Sequence, residues 1–386
     1  MGGSLTCESV YGEGSEFILS IHQKIVDETP VGLFVEHDEK SVKGPYVPKF
    51  IAPDADVLVV DDNPMNLSVI KGLLKATKIF VTTASSGEDC LEKMKTTKFN
   101  VVLLDHMMPG MDGVETVGII RETDKDIPVY ALTANASVGE EFYKSKGFTG
   151  YLSKPVDSEA LEKAIMKHLP EEIMLKPEPE EAPPELTSMP EELSWIYETP
   201  GITVEEGIKN SGGISSYIFS LKLFLETIDG NAKVIKDAYE AGDIRLYTIK
   251  VHALKSSARI IGALGLASQC AELEDAGNKQ DAEFIQIHHD DMMEDYLEYR
   301  DKLSRLDENA SADGGADKEE IPEDELKDAY SALKDVIPQM DYDSVEMILG
   351  DLKKYKLPKE DEAKVAELGK LLKVFDWDGM ENLISQ

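Results

Sequence analysis

The chain has 386 residues, with 75 Asp and Glu against 40 Lys and Arg and a formal net charge of -35. That length allows two or three domains with real cores, while the acidity disfavours direct binding to nucleic acid or an anionic membrane. No apolar run approaches the roughly 18 residues of a membrane span and no signal-peptide core opens the chain. Cys7, Cys90 and Cys270 are scattered without metal-ligand spacing, as expected of reduced, buried thiols in a cytoplasmic protein.

Residues 1–23 read as a β-hairpin. Leu5, Cys7 and Ser9 alternate on one arm, Phe17, Leu19 and Ile21 on the other, and Tyr11-Gly12-Glu13-Gly14 makes the turn. A two-stranded hairpin is marginal alone and should belong to a larger sheet. The wording MGGSLTCESVYGEGSEFILSI resembles the closing strands of the ATP-binding domain of sensor histidine kinases. That family's asparagine-bearing box, Asp-Gly-Gly contacts, lid glycines and dimerisation helix are absent. The resemblance therefore implies a remnant, with the chain beginning inside a longer hybrid kinase or coming from a truncated gene. Such a chain should neither bind ATP nor autophosphorylate from it.

Residues 24–53, with Pro30, Pro45, Pro48 and Pro53, read as a linker. From Asp54 to Pro170 strand-like and helix-like segments alternate. Val57–Val60 ends in Asp61-Asp62, and Asn63 with Pro64 looks like an N-cap and first helical residue. Ile79–Thr83, Gly87–Met94, Val101–Asp105, Gly113–Arg121, Val129–Thr133, Val138–Lys146, Tyr151–Lys154 and Ser158–His168 follow. Five strands and five helices with short connections predict a doubly wound α/β fold on a parallel sheet.

In a parallel sheet all carboxyl ends lie on one side, where open α/β folds keep their reactive groups. Asp61 and Asp62 end the first strand, Asp105 the third, Thr133 the fourth and Lys154 the fifth. Three crowded carboxylates repel unless a cation joins them, and a hard divalent ion with oxygen ligands, Mg²⁺, resolves that conflict. With Lys154 as a fixed positive charge and Thr133 as a hydroxyl donor, these are the parts needed to place a phosphoryl group on a carboxylate.

LVVDDNPMN, LLDHMMPGMDG, YALTANA and GYLSKPV resemble the receiver domain of two-component response regulators, over about residues 55–170. The resemblance implies a flavodoxin-like fold with Asp105 as phosphoacceptor and Asp61 and Asp62 as its acid pair. Asp62, Asp105 and the backbone carbonyl of Met107 would hold Mg²⁺, with Asp61 acting largely through water. Lys154 would pair with the phosphoryl and Asp105, Thr133 would move to bond the phosphoryl oxygen, and Tyr151 would swing inward. His106 is expected to be a surface side chain.

Residues 171–202 carry many prolines and glutamates and read as an extended, self-repelling tether. Residues 203–306 are all-helical in texture, with helices expected at Ser215–Thr227, Asn231–Ala241, Asp243–Ile261, Leu264–Ala276 and Ala282–Leu306, enough for a bundle. In the third, an apolar stripe runs through Leu246, Ile249, Ala253, Ile260 and Ile261, with His252 at its border. Lys255 and Arg259 offer positive charge beside that imidazole, and Ser256 leaves room for an approaching phosphoryl group. HALKSSARIIG, with AELEDAG on the following helix, resembles the histidine-phosphotransfer (Hpt) motif. The resemblance implies that His252 is a solvent-exposed, neutral imidazole accepting and donating a phosphoryl group through Nε2.

Residues 307–321 are a polar linker. The tail, 322–386, repeats at an offset of 35: MDYDSVEMIL at 340–349 matches FDWDGMENLI at 375–384. That period predicts stacked helical hairpins, with Asp341 or Asp343 and Asp376 or Asp378 as N-caps and Tyr342 and Trp377 packing. The whole predicts a phosphorelay component that exchanges a phosphoryl group between Asp105 and His252. Its partners would be a sensor histidine kinase upstream and another receiver downstream; the alternative is a non-transferring module that docks partners.

Overall fold

The computed structural model describes residues 3–10, 14–21, 48–134, 139–177, 188–306, 320–373 and 375–385. Met1–Tyr46 and Val47–Gln386 form separate units. In the first, β1 (Gly3–Val10) and β2 (Gly14–Ile21) pair antiparallel, with Leu5 opposite Leu19 and Cys7 opposite Phe17. The expected hairpin is present, and among the described residues its sheet has two strands. Residues 11–13 of the expected turn and most of the 24–53 linker lie outside the described residues.

The second unit opens with β3 (Asp56–Val60), α1 (Pro64–Leu74), β4 (Phe80–Ala84), α2 (Gly87–Thr96), β5 (Val101–Asp105), α3 (Gly113–Thr123), β6 (Val129–Thr133), α4 (Glu140–Ser145), β7 (Gly150–Ser153) and α5 (Ser158–Met166). The five strands are parallel in the order β4-β3-β5-β6-β7, a doubly wound sheet of flavodoxin-like order. Strand alternation explains why these segments are apolar throughout. Val57, Val59, Val101 and Leu103 belong to one core with α1 and α5, while Leu58, Val60, Val102 and Leu104 belong to another with α2, α3 and α4. Asn63 caps α1 through Met65 N with Pro64 at its start, as the sequence predicts.

The core on the α1 and α5 face does not stop at those helices but runs on into the helical region. There α6 (Val204–Ser211), α7 (Ile214–Glu240), α8 (Ile244–Ile260), α9 (Leu264–Asn278) and α10 (Ala282–Leu303) follow, and α7 to α10 pack in a ring in which α10 returns to α7. One expectation fails here. The two helices placed at Ser215–Thr227 and Asn231–Ala241 are the single α7, continuous through Gly230. Ile228, Ala232 and Ile235 keep one buried stripe going, and that burial exceeds the roughly 1 kcal/mol a mid-helix glycine costs.

The expected linkers are also less extended than their composition suggests. Phe50 and Ala52 are buried, the Lys49 amide donates to Glu162, and Ile51 pairs antiparallel with Leu175. Glu191–Glu198 forms a 3-10 helix that buries Leu193 and Ile196. The few apolar residues among the prolines and glutamates find core surface at either end, and residues 178–187 lie outside the described residues.

The tail forms α11 (Glu323–Val336), α12 (Tyr342–Leu352), α13 (Lys359–Lys373) and α14 (Trp377–Ser385). The 35-residue repeat is structural. Asp341 accepts from Ser344 N and Asp376 from Gly379 N at the starts of α12 and α14, and Tyr342 and Trp377 are both buried. Cys90 and Cys270 are free and buried.

Candidate functional site

The strand ends deliver the expected cluster. Asp61 follows β3, Asp105 ends β5, Thr133 ends β6 and Lys154 follows β7. Lys154 Nζ lies 2.6 Å from Asp61 Oδ2 and 2.9 Å from Asp105 Oδ2. Asp61, Asp62 and Asp105 each bring a carboxylate oxygen within 4.8 Å of the others. Burial pushes the Asp105 carboxyl up, with the Lys154 charge opposing and Asp61 adding to the rise. Burial likewise raises Asp62 against the pull of Lys250. Three confined acids, all offering oxygen and two of them raised by burial, are a donor set that fits a hard divalent cation.

The chain buttresses this cluster with further bonds and close approaches from residues in and around the same motifs. Asn66 donates to both Asp61 oxygens at 3.0 Å, and the Asn63 amide adds a third bond at 2.9 Å. Gly113, at the start of α3, passes so near β5 that a Cβ there would lie 2.2 Å from the Asp105 carbonyl oxygen. The Met107 amide reaches Asp105 Oδ1 at 3.4 Å. On the other flank the Tyr143 hydroxyl donates to Thr133 Oγ1 at 2.8 Å, and its buried ring stacks on Tyr151 with centroids 5.2 Å apart. Tyr151 is half-buried. His106 is not the surface side chain expected. It is half-buried, edge-on to Tyr143, with no partner for its Nδ1 among the described residues, and burial pushes it down to about 4.

His252 is also buried, only 3% exposed, where a solvent-exposed imidazole was expected. Its Nδ1 lies 2.7 Å from Glu274 Oε1, and Lys255 Nζ pairs with the other oxygen of the same carboxylate. Burial lowers the His252 pKa although Glu274 opposes, which favours the neutral ring. In the neutral ring the Nδ1–H donates to the Glu274 carboxylate and the lone pair is on Nε2, which has no hydrogen-bond partner among the described residues. Burial works against ionising Glu274, yet His252 and Lys255 hold it down to about 2. Glu274 sits within the AELEDAG motif, but only the packing of α9 on α8 reveals its task.

The burial of His252 has a tertiary cause: the α/β domain is docked on α8. Lys250 Nζ lies 2.7 Å from Asp62 Oδ2. Asn63 Nδ2 donates to Ser257 Oγ at 2.8 Å and to the Ala253 carbonyl at 3.2 Å, and Arg245 approaches Asp112 at 3.9 Å. Burial accordingly runs round most of α8: Ile249, Ile260 and Ile261 of the expected stripe are buried together with Tyr247, Val251, Leu254 and Ala258, while Leu246 and Ala253 are half-buried, the latter against the α/β domain. A small cavity of about 20 Å³ lies in the seam between Asn66, Lys154 and Pro155 on one side and Ser256 and Arg259 on the other. At 100° per residue, His252 shares the face of Ser256 and Arg259, and the charge of Lys154 is felt at its ring.

Residues 57–166 match the family model described as the response regulator receiver domain, and residues 220–335 match that of the Hpt domain. The sensor histidine kinase GacS of Pseudomonas protegens is 29% identical over 233 residues, 58% of this chain and 24% of GacS. The aerobic respiration control sensor protein ArcB of Escherichia coli is 34% identical over 173 residues, 43% of this chain and 20% of ArcB. The chain thus spans a quarter or less of these relatives. The receiver domain of sensor histidine kinase PA1611 from Pseudomonas aeruginosa, solved with a magnesium ion in its active-site cleft, is 28% identical. It covers 30% of this chain and 96% of its own, with a TM-score of 0.28. Neither family model reaches the N-terminal hairpin. This chain carries a receiver domain followed by an Hpt domain, and the relatives it matches are hybrid sensor histidine kinases.

Proposed function

We propose that this chain is a phosphorelay protein in which Asp105 and His252 exchange a phosphoryl group within the docked receiver–Hpt pair. The observation that carries this reading is the seam. Asp62 and Asn63, from the acidic loop, are bound directly by Lys250 and Ser257, the residues flanking His252 on α8. Asp62, Asp105 and the Met107 carbonyl would hold Mg²⁺, with Asp61 acting through water. When bound, the ion neutralises charge on the phosphoryl oxygens.

The chain's own groups account for the rest. In transfer to histidine, the His252 Nε2 lone pair attacks phosphorus, and the N–P bond forms as the bond from phosphorus to the Asp105 oxygen breaks. The bonding pair stays on Asp105 as a carboxylate, which Lys154 receives. The proton stays on Nδ1, where its hydrogen bond to the Glu274 carboxylate stabilises the cationic ring, and Lys255 fixes Glu274. Thr133 bonds a phosphoryl oxygen, and Tyr151 follows inward. A sensor histidine kinase, separate or part of the same longer polypeptide, supplies the phosphoryl group, and a further receiver takes it on.

Labelled acetyl phosphate with Mg²⁺ tests this in the full chain. Label should reach Asp105 and then His252; His252→Gln should retain label on aspartate, and Asp105→Asn should leave His252 unlabelled. Undiminished His252 labelling in Asp105→Asn would overturn the proposal.

A further inference from the structure

The Hpt match ends at residue 335, so most of the tail, residues 320–385, lies beyond both family matches, yet it is folded onto both domains. Leu333, Ile337, Val345, Leu368 and Met380, each essentially inaccessible, give it a core. The two halves of the repeat also turn alike. Met340 and Phe375 both sit at φ 56 in the left-handed region, each just before an aspartate cap and an aromatic residue. The tips so formed bring Tyr342 and Phe375 together, with ring centroids 5.4 Å apart, and Trp377 follows two residues on at the start of α14.

These tips face the seam between receiver and Hpt domains. Lys71 Nζ, on receiver helix α1, lies 4.1 Å from the Tyr342 ring centre. Trp377 Nε1 donates to Thr83 Oγ1 at 3.5 Å, on the receiver's edge strand β4. Lys373 Nζ reaches across to Glu226 on α7 at 2.5 Å. Below them α1 meets the Hpt domain closely: Gly72 passes by Ser216, and Gly212 by Leu73. One module therefore holds an anchor on each side of the joint.

We propose that residues 320–385 are a clasp whose binding surface is the receiver–Hpt seam of this same chain, and that the clasp keeps Asp105 and His252 paired. Its tether to the Hpt domain keeps its local concentration high, so modest contacts suffice. Because a docked receiver covers His252, release of the clasp exposes the imidazole to a second receiver. This consequence for hand-on rests on the relay proposed above; the docking role does not.

Reaction of His252 with diethyl pyrocarbonate, read by peptide mass spectrometry on the full chain, reports docking without any phosphoryl chemistry. Lys71→Glu/Lys373→Glu changes only partly exposed side chains and sets each new carboxylate against an aromatic face or Glu226. His252 should react about fivefold or more faster than in the parent chain, the order expected from reversing a cation–π contact and an ion pair. Adding Glu226→Lys should restore part of the protection. Trp377→Ala should also raise the rate, with receiver and Hpt helicity retained. Unchanged protection in both the charge variant and Trp377→Ala overturns the clasp. If protection falls as expected while the parent chain never passes label from Asp105 to His252, the clasp stands and the relay fails.

Discussion

Glu274→Gln probes the arrangement at the Hpt histidine most directly. The carboxylate is 9% exposed and held from an ordinary value of 4.5 down to about 2 by its bonds to His252 and Lys255. A shift of that size corresponds to about 3 kcal/mol, close to the roughly 3–5 kcal/mol for stranding one member of a buried ion pair. The sign follows from the direction. A depressed folded pKa means the ionised form stabilises the fold, fully above the ordinary glutamate range and progressively less as pH falls toward 2. At pH 7 Glu274→Gln should therefore lower stability by about 3 kcal/mol, on the order of 10 °C in Tm, because Lys255, 6% exposed, loses its counterion. Glu274→Gln/Lys255→Met should recover most of that loss, giving a coupling of roughly 2 kcal/mol in a double-mutant cycle. Nitrogen-15 spectra of the imidazole should show the His252 pKa falling further and the Nδ1–H tautomer losing its dominance. A Glu274→Gln chain that melts like the parent, with the same tautomer, would refute the idea that Glu274 anchors both side chains.

Two further outcomes concern the receiver. Burial raises Asp56, at the start of β3 beside the edge strand, to about 6, so its ionisation opposes folding fully above that value and the penalty fades as pH falls toward 4. Asp56→Asn, which can still accept from Thr82, should stabilise the chain by about 1 kcal/mol at pH 7.5 after allowance for solvent screening. In thermal melts a gain that does not shrink between pH 7 and pH 4.5 would contradict the assignment. Asn66→Ala removes the two bonds from Asn66 that orient Asp61, leaving the side-chain bond from Lys154, and should weaken Mg²⁺ binding about 10–100-fold in calorimetric titration; an unchanged Kd would show that Asp61 needs no such support.

The receiver was legible from the chain alone because its signal is local and repeated. Each strand is a short apolar run ended by a polar residue, and parallel pairing forces those ends to one side, so Asp61, Asp62, Asp105, Thr133 and Lys154 had to meet. The tail's repeat was legible for a similar reason, since Asp341 and Asp376 cap helices through bonds within three residues. The split expected in α7 shows the limit of local signals: Gly230 reads as a break until the stripe on either side is seen to pack on one bundle.

Motifs along the chain single out the groups proposed to react, Asp105 and His252, with the acids and the lysine that belong to the first. Their surroundings come from tertiary packing. His252 is buried and bound to Glu274, His106 turns in toward Tyr143, and Lys250 pairs with Asp62 from 188 positions away. Trp377 reaches Thr83 across 294. Periodicity fixes which side of a helix or strand a residue occupies, but contacts between domains depend on shape and charge matching of finished surfaces. No spacing along the chain encodes that match.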